Sequence, residues 1–339
     1  MFQNAHDRPR MVVTDPQDAI AAVPFLLGFH PTESLVVLAS GGPRETCALR
    51  HDLPVANDRI AAILAKNGFL GAIVLGYGPA DLVVPSARLV REALTAHGIE
   101  VMAAVRVADG RWWSLTCSEE ECCPPAGRPY DITSSRLTAE AVYRGETALP
   151  DRDALVRSVA PLGRSMRDAT TRAEERFFNS AREGPRARTG ARMEREGSAL
   201  LDALLTRARQ GGPFPDDDEL ADLAVHLTNL NVRDEAWGRI QEDDPPFAIA
   251  FWRHVLQRVD ELYASAPACL LAFAAYSAGD GGLANVALDR AEPGYTMAIL
   301  LREVMYAGIP PSELHIHMLP TRSKPGRTTR PRAQKPKAS

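Results

Sequence analysis

The spacing of apolar residues changes character along the chain. Ala19, Ile20, Val23, Leu26 and Leu27 recur at helical spacing. Ahead of them, Thr14-Asp15-Pro16 supplies a capping side chain and a proline where the first turn needs no amide. Pro24 inside the pattern predicts a kink or a shortened helix, and Gly28 followed by Pro31 predicts its end. Glu33–Ser40 is a continuous apolar run of strand length, and Glu45–Leu53 alternates beyond the turn Gly41-Gly42-Pro43. Together these two predict an antiparallel hairpin. An Ala/Ile-rich helix is expected over 56–67, a short strand over Leu70–Leu75, an amphipathic helix over Asp81–His97 and a strand over Ile99–Val107. Strand, helix and strand in succession predict a parallel crossover. Ala108-Asp109-Gly110 then turns the chain into Arg111–Cys117, a second hairpin.

Beyond Tyr130 the pattern is almost entirely helical. Helices are expected over Ser134–Tyr143 and from Asp151, then a charged helix and a loosely helical linker across Arg164–Gly197, broken at Gly184-Pro185. Successive helices follow over 198–320, with breaks at Gly211–Pro215, Asp243–Pro246, Pro267 and Gly279–Gly282. Within Ala268–Tyr295, small residues recur where two helices would cross, a pattern like one tetratricopeptide-type hairpin. A lone hairpin cannot bury its own face, so neighbouring helices must stack on it. The expected organisation is a loose terminus over 1–13, an α/β domain of mixed sheet and packed helices over 14–150, and a helix with a charged linker over 151–197. An all-α domain over 198–320 and a disordered basic tail over 321–339 complete it.

Composition narrows the class. With 339 residues the chain is long enough for two cores, and 45% hydrophobic with 24% charged residues is ordinary for a soluble globular protein. A net charge of −4 offers no general attraction to nucleic acid or anionic membranes. Only the tail from Arg322 to Lys337 is purely basic, and it is the one place where nucleic-acid contact by counterion release is considered, against a plainly solubilising role. Glutamates interleave with the arginines of 164–197, which reads as a solvated surface. No apolar run approaches the ~20 residues a bilayer requires. The start MFQNAHDRPR has no signal-peptide pattern, so five cysteines are expected reduced, in the cytoplasm.

The densest chemistry lies in Arg111–Tyr130, RWWSLTCSEEECCPPAGRPY. Cys117, Cys122 and Cys123 have the spacing C-x4-C-C. That differs from paired C-x2-C zinc ligands, and neighbouring cysteines seldom both reach one metal, so no metal or cofactor is expected. Glu119, Glu120 and Glu121 between them oppose thiolate formation. A reversible Cys117–Cys122 or Cys117–Cys123 disulfide, and a reactive thiol with Arg111 as anion-binding group, stand beside the simpler reading of packed thiols. Cys47 and Cys269 read as small core residues. In Gly28–Ser34, His30, Glu33 and Ser34 are close in sequence, yet neighbours in a strand point to opposite faces, so a hydrogen-bonding turn outweighs a triad. Gly76 and Gly78 follow a strand where α/β sheets bind ligands, but they form neither a dinucleotide motif nor a P-loop. Asp52 completes the candidate ligand-binding set with His30, Glu33, Gly76 and Gly78.

The chain resembles the bacterial domain-of-unknown-function family DUF4192. The match rests on Ala22–Pro31, Glu33–Val37, Arg50-His51-Asp52-Leu53-Pro54, Arg111-Trp112-Trp113-Ser114, Cys122–Gly127 and Gly279–Ala284, in order along the chain. The resemblance brings no activity, cofactor or catalytic residue. It implies that the Arg-Trp-Trp strand and the Cys-Cys-Pro-Pro-x-Gly loop belong to the identity of the fold. With no complete catalytic signature, the leading expectation is a non-enzymatic protein whose helical domain binds another protein. The rival is a redox sensor, or a metal- or small-ligand-binding enzyme, built on residues 111–127.

Overall fold

A mixed sheet organises the molecule. In the computed structural model, which describes residues 13, 15–42, 46–57, 59–163, 166–182, 186–310 and 313, it has six strands in the order β2-β1-β3-β4-β5-β6. These are β1 (Ser34–Ser40), β2 (Cys47–Asp52), β3 (Gly71–Tyr77), β4 (Glu100–Ala108), β5 (Arg111–Ser114) and β6 (Arg128–Pro129). β1 runs antiparallel to both β2 and β3, β3 and β4 are parallel, and β4/β5 and β5/β6 are antiparallel. Both expected hairpins and the parallel crossover are therefore present. The basic tail expected over 321–339, and residues 1–12 of the expected loose terminus, lie outside the described residues.

The helices are α1 (Pro16–Leu27), α2 (Arg59–Lys66), α3 (Ala80–Ala96), α4 (Arg136–Tyr143), α5 (Arg152–Arg157), α6 (Arg167–Arg182) and α7 (Arg186–Arg209). They continue with α8 (Asp217–His226), α9 (Leu230–Ile240), α10 (Pro245–Leu256), α11 (Ser265–Ser277), α12 (Gly281–Leu288) and α13 (Thr296–Tyr306). Among the described residues no helix is long and apolar enough to cross a membrane. α1 begins as its sequence dictates: the Asp18 amide donates to the Asp15 carboxylate at 2.9 Å, and Gly28 ends the helix at φ 78°. Pro24 neither stops nor shortens it, because the helix runs on to Leu27 with Pro24 buried.

Alternation along the strands gives the sheet two buried faces. Leu35, Val37, Val74 and Ala104 pack with Ile60 and Leu64 of α2 and Val90 and Leu94 of α3. Val36, Leu38, Leu75, Val105, Val107 and Trp112 face the other way, onto α1. The core on that second side is continuous with the buried residues of α7–α13, including Phe251, Trp252 and Phe273. Two joints show how closely the halves meet. A Cβ at Gly282, in the first turn of α12, would lie 2.6 Å from the Leu27 carbonyl oxygen that ends α1. After α13, the Ala307 carbonyl accepts from Asn67 at 3.5 Å, and Arg59 of α2 lies over the Tyr306 ring.

The charged stretch expected as a helix followed by a loosely helical linker holds two long helices, α6 and α7. Arg172 and Arg176 of α6 pair with Asp218 and Asp222 of α8 at 2.6 and 2.8 Å. α7 buries Met193, Leu201, Leu204 and Leu205, and its Arg207 grips Glu219 of α8 through both oxygens. The arginines bring helices into register, and the sparse apolar residues between them form the buried stripe. Pro267 does not break the chain either; it sits in the first turn of α11, where its missing amide costs nothing.

Candidate functional site

The segment between β5 and β6 carries the most concentrated chemistry. Because successive strand residues alternate, Trp112 is buried against the α1 side while Trp113 turns to the opposite face. There Trp113 becomes the platform for the loop. Its indole nitrogen donates to the Pro125 carbonyl at 3.0 Å, and buried Gly127, at φ 72°, lies against the ring. Arg111 reaches over from the same strand, donating to the carbonyls of Ala126 at 3.2 Å and Gly127 at 2.7 Å. It serves as a backbone clamp. The Ser114 hydroxyl accepts from the amides of Thr116 and Cys117 at 3.2 and 3.0 Å and so fixes the start of the loop.

Between those anchors, the Cys123 amide donates to the Glu119 carbonyl at 2.7 Å, closing one helical-type turn. The turn swings the adjacent cysteines toward Cys117. The Cys117 and Cys122 sulfurs are 3.0 Å apart, Cys122 and Cys123 3.5 Å, and all three lie within 4.8 Å of one another. Hydrogen bonding from the Cys122 thiol lowers Cys117, while the same contact from the other side pushes Cys122 up to about 12. Of the pair, Cys117 is the thiol that ionises first. Glu119, Glu120 and Glu121 are exposed around the rim.

A second group of predicted residues meets where β1 begins and β2 and β3 end. Ser34 faces Asp52 on one side and Tyr77 on the other. Glu33 has φ 43°, is exposed, and accepts from the Leu53 amide at 3.0 Å through its carbonyl. Asp52 pairs with Arg50 at 2.6 Å. Gly78 approaches both strands: a Cβ there would touch Glu33 Cα and Leu53 at 3.6 Å. Gly76 has a packing cause, since a Cβ would lie 2.3 Å from Val83 of α3. Glycine there lets α3 lie close on the sheet. His30 stands apart, its amide donating to the Leu149 carbonyl at 3.0 Å in the connection from α1 to β1. His30, Glu33 and Ser34 do not form a triad: Ser34 is fully buried and Glu33 faces solvent.

Arg106 joins the two groups, and it escaped the sequence reading. Its Nε donates to the Gly78 carbonyl at 2.9 Å, and its guanidinium lies 4.3 Å from the centre of the Trp113 ring. The signal was present as the one cation in an apolar strand, 99–107. A chain of contacts therefore runs from Gly78 through Arg106 and Trp113 to Pro125 and the cysteine loop. Cys47 packs beside the core of β2, and Cys269 is wholly buried with its thiol pushed up to about 12 by burial, so both lie apart from the cluster.

A family model described as Domain of unknown function (DUF4192) matches residues 16–312. The chain belongs to DUF4192. No curated protein and no solved structure matches it. The motifs of this DUF4192 chain sort by geometry: Arg111, Trp113, Ser114, Pro125 and Gly127 are one brace, and Cys117, Cys122 and Cys123 are what it holds. Gly28 and Gly282, from the first and last of the resembling segments, meet at Asp280 and Leu27.

Proposed function

We propose that this protein works through its cysteine loop, as a binding or sensing protein whose clustered thiols engage a soft ligand or an oxidant. The observation that supports this reading is the convergence of the three sulfurs within 4.8 Å on a loop clamped at Ser114, Pro125, Ala126 and Gly127. Packed structural thiols need no such brace. With peroxide, the chemistry is closure of one bond: Cys117 and Cys122 give up two protons and two electrons, the disulfide forms, and the peroxide leaves as two waters. The test is mass-spectrometric mapping of alkylation on the full chain. In reduced, chelator-treated protein, Cys117 is expected to alkylate first, with Cys122 and Cys123 following as the pH is raised, while Cys269 stays inert until denaturation. After zinc chloride or hydrogen peroxide, at least two of the three become protected together. Independent alkylation at unchanged rates in every condition removes this reading.

A cleft in the helical half supports a second reading, in which that half also docks a partner protein. The α11–α12 pair, with small residues at its crossing, has the character of a tetratricopeptide hairpin, and α9 and α13 flank it. Between α9 and α13 lies a cleft of about 350 Å³ lined by Leu230, Arg233, Trp237, Tyr295, Met297 and Leu300. Leu230 is 60% and Leu300 49% exposed, and the buried Trp237 indole nitrogen has no acceptor among the described residues. The occupant that fits is a segment of another protein offering an aliphatic side chain beside a backbone carbonyl. Affinity capture from lysate with a Leu230→Asp/Leu300→Asp double variant is expected to lose specific bands that Tyr143→Ser retains; Tyr143 is an exposed aromatic residue outside the cleft lining. Identical bands from both variants count against docking here.

A further inference from the structure

We infer that the Cys117–Cys122–Cys123 cluster is a binding site for a soft divalent cation, zinc in the first place, held by three thiolates with a fourth position open. This rests on the cysteine loop being the working site. The sequence argument against a metal was that neighbouring cysteines diverge. Here the Cys123-to-Glu119 turn swings Cys122 and Cys123 to one side, with sulfurs 3.5 Å apart. Tetrahedral zinc with Zn–S bonds of ~2.3 Å sets its sulfurs about 3.8 Å apart. The two closest separations, 3.0 and 3.5 Å, are a little shorter than that, and all three sulfurs lie within 4.8 Å of one another. Rotation about the side-chain bonds is enough to close the difference.

The surroundings favour a cation over a nucleophile. Residues 115–127 contain three glutamates and no lysine or arginine. The neighbouring guanidiniums are already engaged: Arg91 donates to the Leu115 carbonyl at 2.9 Å, Arg111 to the Ala126 and Gly127 carbonyls, and Arg106 to Gly78 beneath Trp113. Collecting thiolates beside Glu119–Glu121 accumulates negative charge, which a divalent ion offsets directly and an approaching oxidant does not. The outer brace is also of the kind metal ligands need, since it fixes the backbone that carries them. Binding is balanced as Zn²⁺ replacing three thiol protons, which pass to solvent.

Among the described residues no histidine or further cysteine joins the cluster, so the fourth position falls to solvent or to a carboxylate of the same loop. Cys122 is exposed, which keeps that position reachable. Structural zinc sites are closed by four protein ligands; a three-thiolate site at the surface exchanges its metal or takes an added donor. Its place is sensing or transfer.

The experiment uses the full chain, reduced with a phosphine and freed of metal by a chelator. It is then titrated with zinc chloride, and in parallel with cobalt(II), whose thiolate charge-transfer and tetrahedral absorption bands report the ligands. About one ion per chain is expected. Cys117→Ser, Cys122→Ser and Cys123→Ser should each weaken binding by about 100-fold or more, beyond the 10–100-fold typical of losing an outer support. Cys47→Ser should match the parent, and circular dichroism checks that each variant is folded. Zinc uptake by the parent no greater than by the triple serine variant overturns the metal assignment. If that protein still forms the loop disulfide with peroxide, the cysteine loop stands as the working site and only its metal is lost. If it does neither, both readings fall.

Discussion

Trp252→Ala is expected to lower the unfolding free energy by about 3–5 kcal/mol, the cost of emptying a packed aromatic site. Trp252 is 1% exposed and meets Phe251 edge-on at 5.3 Å, while Phe251 in turn contacts Phe214 at 5.7 Å. Phe251 and the surrounding side chains are themselves packed in the core and leave a cavity rather than refill it. Against a total stability of roughly 5–15 kcal/mol, that loss is large. The same experiment tests how far the folding unit extends. Because the buried residues around Trp252 are continuous with Val36, Leu75, Val107 and Trp112 of the sheet, denaturation should show one transition that moves as a whole. Urea unfolding followed by far-ultraviolet circular dichroism and by tryptophan emission gives the answer. Two separable transitions, with the substitution shifting only one, would mean that the sheet and the helices fold independently.

The second large effect concerns the brace. Gly127→Ala is expected to destabilise the protein by about 2–5 kcal/mol and to scatter the thiols. Two terms add. A side chain at a left-handed φ costs about 1–2 kcal/mol, and overpacking costs about 1–3 kcal/mol. The overpacking is specific: a Cβ at Gly127 would sit 2.5–2.8 Å from three atoms of the Trp113 indole. The ring cannot retreat freely, since Pro125 holds its nitrogen and Arg106 covers its face. Gly110→Ala is the control, because Gly110 has φ 70° but nothing within 4 Å of the added carbon. It should show the conformational strain alone. Denaturation midpoints measure the first effect, and loss of joint protection of Cys117, Cys122 and Cys123 in alkylation measures the second. Equal behaviour of the two variants would mean that the Trp113–Gly127 contact does not hold the loop.

Much of the sheet half was legible because its signals are local. Asp15, Pro16 and Gly28 mark both ends of α1, and each hairpin is bounded by its own turn residues. Family membership was legible for the same reason, since its motifs are contiguous strings. The packing of α6 and α7 was not, although helix was expected in that stretch. Its ion pairs join residues far apart in sequence, such as Arg176 and Asp222, so arginines that look like a solvated linker become the struts of α6 and α7. Gly76 was misleading in a different way. It stands where ligand loops occur, but Val83 arriving from α3 is what requires the glycine.

The order of strands and caps, the alternation that separates Trp112 from Trp113, and the presence of three thiols in one short loop were all written in the residue string. They depend only on backbone preferences and on the two-residue period of a strand. Which way those thiols point was decided in three dimensions. A C-x4-C-C spacing is compatible with convergence or divergence, and the choice was made by contacts that span the loop: Ser114 to Cys117, Cys123 to Glu119, Trp113 to Pro125 and Arg111 to Gly127. The Trp113 and Arg111 contacts depend on β5 being seated against β4 with Arg106 beside Trp113, because a hydrogen bond across a loop offsets the entropy of closing it only when both ends are held.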